Sequence, residues 1–93
     1  MRITLHLASY LRPLAGDHST IPLSGHFPTV ADALAALWTL YPAVRHRVLD
    51  ETGAVRQHVN LFVGQDNTRF TGGLATPLTD GAELSILPAV SGG

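Results

Sequence analysis

The sequence predicts an α+β fold, a mixed sheet of four to five strands with one main helix packed on one face. Three observations point to it. Ile3, Leu5 and Leu7, and again Val59, Leu61 and Val63, alternate with other residues at period two, the mark of strands with one buried face. Between these stretches Val30, Leu34, Leu37, Trp38 and Tyr41 recur at helical spacing, so one face of a helix is apolar. The resulting order of strand, strand, helix, strand, short strand and strand packs most simply as a helix laid across a sheet. With 93 residues and 45% apolar content, the chain has enough material for one modest core and therefore for a single domain spanning 1–93.

Strand one covers Ile3 to Leu7 and is broken by Arg12-Pro13 and Gly16-Asp17. Ser19 to Leu23 reads as a second, edge-type strand, because Pro22 has no N–H for an interior ladder and Ser24-Gly25 ends the run. Thr29 stands three residues before Asp32, a capping signature with Asp in place of the usual Glu, and alanines at 31, 33, 35 and 36 favour the helix that follows. Pro42 stops or kinks that helix. Val44, Val48 and Leu49 then suit a short second turn that carries Arg45, His46 and Arg47 outward as a solvated helix end. After the Val59 to Val63 strand, Gly64-Gln65-Asp66-Asn67 reads as a turn and Thr68-Arg69-Phe70 as a short strand. Gly72-Gly73 and Thr79-Asp80-Gly81 are turn signals, and Glu83 to Leu87 is the last strand, with Leu84 and Ile86 on one face.

Composition excludes several function classes. A net charge of −1 with only 14% charged residues leaves no basic footprint for nucleic acid or an anionic membrane surface. No window approaches the eighteen or so apolar residues of a membrane span, and the Met1 start reads as a strand rather than a secretory signal, so a cytoplasmic location is expected. Zero cysteines exclude disulfides, thiolate metal sites and cysteine nucleophiles. The five histidines lack paired metal-ligand spacing, and no metal is expected. Trp38 and Tyr41 read as core or core-edge residues.

The end of the chain is different in kind. Gly92 and Gly93 have no Cβ, so an extended backbone there can enter a narrow channel without a side-chain clash. Ser91 is small, and Pro88 stiffens the base of a tail spanning about 88–93 by fixing φ. A carboxylate at neutral pH is a poor electrophile, and chemistry at Gly93 needs prior activation, which ATP can supply.

The segment Asp80-Gly81-Ala82-Glu83-Leu84-Ser85-Ile86-Leu87-Pro88-Ala89-Val90-Ser91-Gly92-Gly93 resembles the C-terminus of the MoaD/ThiS family of ubiquitin-like sulfur carriers. Arg69-Phe70-Thr71-Gly72-Gly73-Leu74-Ala75-Thr76 looks most like the carrier of the family's cysteine-synthesis branch. The resemblance implies a β-grasp fold and a protein that is a co-substrate rather than an enzyme. It implies that an E1-like adenylyltransferase/sulfurtransferase, using ATP, activates Gly93, and that a thiocarboxylate forms there. The carrier itself binds no cofactor. A sulfur-accepting enzyme would follow, cysteine-synthase-like or a molybdopterin-synthase large subunit. A ubiquitin-like modifier joined to protein lysines would use the same activated tail.

Strand parity places the docking surface. If Leu84 and Ile86 face the helix, Leu87 faces the other way, as does Phe62 when Val59, Leu61 and Val63 point inward. Leu87, which in the family matches a commonly partner-contacting position, and Phe62 are thus expected to be exposed partner-binding residues, with half-burial of Phe62 under the Ser24 to Pro28 loop as the alternative.

Overall fold

A computed structural model describes residues 1–89 of the chain. Five strands, β1 (Arg2–Leu7), β2 (Thr20–Ser24), β3 (Val59–Val63), β4 (Asp66–Asn67) and β5 (Glu83–Pro88), form one sheet in the order β2-β1-β5-β3-β4. The central pair, β1 and β5, is parallel and the other pairings are antiparallel. Helix α1 (Val30–Leu40) and a shorter α2 (Pro42–Val48) follow β2. A parallel pair of first and last strands, with the helix connecting the two hairpins, is the β-grasp arrangement.

Period-two burial decides the register. Ile3, Leu5 and Leu7 of β1, Leu84 and Ile86 of β5, and Val59 and Leu61 of β3 are all buried, and they meet Val30, Ala33, Leu34 and Leu37 of α1. Val44 and Val48 of α2 complete the core. A one-residue slip of β5 would turn Leu84 and Ile86 out and leave Ser85 in their place, so burial fixes the pairing strongly. Val63, expected inward, is only half-buried because it lies at the end of its strand. Trp38 and Tyr41 pack on the rim of the core, as their spacing predicts.

The ends of α1 behave as the sequence indicates. Thr29 donates both its N–H and its hydroxyl to Asp32 Oδ2, at 3.0 and 2.7 Å, which ties the first turn together and sets a carboxylate at the positive end of the helix. At the other end Pro42 opens α2, where its missing N–H needs no partner. Pro22 is similarly placed. Leu7 donates to Ser19 and Gly25 to Met1, so the odd-numbered β1 residues form the bonded pairs and Pro22, opposite Thr4, turns its nitrogen away from β1 on the outer edge of the sheet.

Three stretches differ from expectation. Ser9–Leu14 forms a 3₁₀ segment that buries Leu11, where the sequence suggested only a break. The turn after β3 needs just Gly64 and Gln65, Gly64 taking φ +59° at the first loop position, so pairing resumes at Asp66. Thr68–Phe70, expected as a strand, is instead a 3₁₀ turn. Asn67 Oδ1 accepts the Arg69 N–H at 3.0 Å and closes that turn locally. The Arg69 guanidinium then reaches back to the start of β3, donating to Asn60 Oδ1 and to the carbonyls of Arg56, Gln57 and Val59. Among the described residues no helix is long and apolar enough to cross a membrane.

Candidate functional site at the root of the tail

Because β5 is the middle strand, its C-terminal end lies at the centre of the sheet. Its exit is held on one side only. Ala89 donates to the His58 carbonyl at 2.8 Å, extending the pairing of β3 and β5 one step past Pro88. Pro88 lies opposite Val59 in a pair that exchanges no bonds, so its nitrogen faces β1, which has already turned into the Ser9–Leu14 segment. The proline therefore removes no ladder bond. Pro88 is the last residue of β5 rather than the first of a tail, as the sequence suggested, and it fixes φ where the sheet stops. Val90, Ser91, Gly92 and Gly93, the rest of the expected reactive arm, lie outside the described residues.

The sheet face turned away from the helices carries the expected docking residues. Leu87 sits opposite Asn60 and keeps 39% of its surface exposed. Phe62 sits opposite Ser85, diagonal to Leu87 on the same face. It is half-buried, not exposed as parity suggested, since parity sets the face of a side chain and not the company it keeps. The Ser24 to Pro28 loop does not lie beside it in the sheet order: it follows β2, with β1 and β5 between β2 and β3. At the opposite end of β5, His6 Nε2 meets Glu83 Oε1 at 2.8 Å and Asp80 Oδ1 accepts the Arg2 N–H. His6 and His58, whose meeting a metal site would need, lie on β1 and beside β3 with β5 between.

Sequence reasoning missed a second feature at the tail root. A surface groove of about 740 Å³ is lined by Tyr10, His46, Arg47, Arg56, His58 and Pro88. Four segments build it: the 3₁₀ segment gives Tyr10, α2 gives His46 and Arg47, the loop before β3 gives Arg56 and His58, and β5 gives Pro88. Arg56 is anchored by donating from Nε to the His46 carbonyl at 2.8 Å, which also occupies a C-terminal carbonyl of α2. Partial burial pushes the Tyr10 phenol above its ordinary pKa, with the Arg47 charge pulling the other way, so the hydroxyl stays protonated at neutral pH. The only signal in the sequence was Arg45-His46-Arg47.

A large aromatic is also conspicuous elsewhere. Phe70 is 86% exposed, on the turn that Arg69 anchors.

Comparison with known proteins agrees with this architecture. The chain is 35% identical over 95 residues to the sulfur carrier protein CysO of Mycobacterium tuberculosis, covering all of both chains. The crystal structure of that protein superposes with a TM-score of 0.85 at 32% identity, over 95% of this chain and 99% of the other. The BexX/CysO complex from Amycolatopsis orientalis contains a chain matching at TM-score 0.85 and 27% identity, over 98% and 99% of the two chains. Small archaeal modifier protein 3 of Haloferax volcanii is 30% identical across the whole of both sequences. The family model described as the ThiS family matches residues 5–93, and the chain belongs to that family of ubiquitin-like sulfur carriers.

Proposed function

We propose that this protein carries sulfur on the carboxyl group of Gly93 and delivers it in the biosynthesis of cysteine. Gly93 reacts twice. A carboxylate oxygen attacks the α-phosphorus of ATP on an E1-like enzyme, and pyrophosphate leaves. A sulfur donor then attacks the carbonyl carbon, the bond to AMP breaks, and a thiocarboxylate remains. On a cysteine-synthase-like enzyme that sulfur bonds to a carbon of the acceptor substrate, and hydrolysis of the acyl–sulfur link returns the Gly93 carboxylate. The domain supplies no catalytic group to either step; it is a co-substrate that presents its end.

The observation that carries the reading is the path of β5. A central strand, paired on both sides as far as Ile86 and on the β3 side through Ala89, runs without a turn to Pro88 and ends beside the exposed Leu87. Such an exit is rigid at its base, which limits the entropy lost when Val90 to Gly93 are threaded into an enzyme. Full-length similarity to CysO favours cysteine as the product over molybdopterin or another sulfur-containing product. Likeness to an archaeal modifier supports a second reading, attachment of Gly93 to protein lysines.

Reconstitution tests the proposal. The chain, its host's E1-like enzyme, ATP and sulfide should together release AMP and yield the chain with one oxygen replaced by sulfur. Deletion of Gly92 and Gly93 should abolish both while leaving the melting temperature unchanged. AMP release that continues after the deletion would contradict the assignment.

A further inference from the structure

The groove beside Pro88 is unusual in a chain whose net charge is −1. Two of the six arginines line it, with two histidines and a protonated phenol, and among the described residues no carboxylate lines it. Asp50 is the acid that feels Arg56, yet its Oδ1 is already occupied by the Thr52 N–H, the Thr52 hydroxyl and the Ala54 N–H. It is therefore bound into its own loop. Arg47 is exposed, and among the described residues no hydrogen bond or ion pair holds its guanidinium. The far end of β5 has the reverse character, with Asp80 bonded to the Arg2 backbone and Glu83 to His6. The strand that leads into the tail thus begins among carboxylates and ends on cations.

Position gives this polarity a use. Pro88 is itself part of the groove wall and Ala89 is bonded to His58, so the groove adjoins the root of the tail. We infer that the groove is the electrostatic half of tail docking, receiving carboxylate side chains that rim the mouth of the channel in a partner enzyme. The inference rests on the carrier reading, since it requires an enzyme that accepts the tail. Leu87 supplies apolar contact on the adjoining face, while Arg47 and Arg56 set the approach and the rotation of the domain about the tail. Charges at such a rim act mainly on the rate of encounter and are screened by salt, whose Debye length falls from about 10 Å at 0.1 M to about 3 Å at 1 M.

The test compares association of purified chain with the host's E1-like adenylating enzyme for wild type, Arg47→Glu, Arg47→Lys and Arg2→Glu. Arg2→Glu makes the same change of net charge at the remote end of the sheet. At roughly 50 mM salt, Arg47→Glu should associate about tenfold more slowly, the gap should close near 1 M salt, and Arg47→Lys and Arg2→Glu should stay within about twofold of wild type. Equal rates for Arg47→Glu and Arg2→Glu would overturn the inference. A deca-glutamate peptide, titrated into wild type and followed by NMR, provides an arm that does not depend on the tail. Shifts at Tyr10, His46 and His58 that Arg47→Glu removes support acidic-protein recognition. Shifts there with inorganic phosphate and none with the peptide would refute it. Wild type that forms no thiocarboxylate while still binding the peptide at this groove would fault the carrier reading and not the groove.

Discussion

Substituting Leu87 separates docking from folding. Leu87 keeps 39% of its surface exposed on the face opposite the helices, and full burial of a leucine is worth about 1.5–3 kcal/mol. Docking can therefore recover only about two fifths of that, roughly 0.6–1.2 kcal/mol, and Leu87→Ala should weaken binding to the activating enzyme by about three- to sevenfold. Leu87→Asp adds an unpaired carboxylate to a closing interface, at a further cost of about 2 kcal/mol or more, for a total beyond about seventyfold. Ile86 is the internal control. It is fully buried one residue away, so Ile86→Ala should cost about 2–5 kcal/mol of folding stability, whereas the Leu87 variants should unfold within about 1 kcal/mol of wild type. Isothermal titration against the E1-like enzyme, with urea unfolding of each variant, measures both. Wild-type affinity for Leu87→Asp, or a loss of stability matching that of Ile86→Ala, would refute the reasoning.

Arg69→Met removes the fork that ties the Thr68–Phe70 turn to the start of β3. Charge-assisted bonds of this kind support a loss of about 1.5–2 kcal/mol, or roughly 6–16 °C of melting temperature, and a change under about 0.5 kcal/mol would show the bonds to be fully replaced by water. The Asp50 carboxyl is held below the usual carboxylate range, chiefly by the Thr52 hydroxyl and N–H. Its stabilisation is present above the unfolded pKa and disappears as pH falls through the lower folded value. Asp50→Ala should accordingly melt below wild type at pH 7, with the difference shrinking on acidification below about pH 4; a gap that widened in acid would reverse the sign and contradict the assignment. Arg47→Ala removes the charge that opposes the effect of burial on Tyr10, so the phenol should ionise at higher pH in an absorbance titration, and an unchanged midpoint would place the two side chains out of effective reach.

How far the molecule was legible varies with the physics of each part. β1, β3, β5 and α1 could be read because burial imposes a period on them, and Thr29 with Asp32 marked where α1 begins. Pro22 announced an edge strand by the bond it cannot make. The 3₁₀ segment at Ser9–Leu14 had no such period, since it buries a single fully apolar contact, Leu11. The Thr68–Phe70 turn was misread as a strand because it is stabilised by Asn67 and by the reach of Arg69, which propensity does not register. The tail signature was plain in the residue types from Asp80 onward. The groove was not, because its residues come from four separate segments and only the fold sets Tyr10, Arg47, Arg56 and His58 around Pro88.

The central claim, that Gly93 carries sulfur, is tested most directly by the intact mass of the chain purified from its native host during active growth. The account predicts a population in which one oxygen of the Gly93 carboxyl is replaced by sulfur, and which is consumed on incubation with the sulfur-accepting enzyme and its acceptor substrate. Finding only the unmodified carboxylate, with the Phe70 to Gly93 segment of this chain joined through Gly93 to lysines of other proteins after tryptic digestion, would contradict it and identify the protein as a modifier.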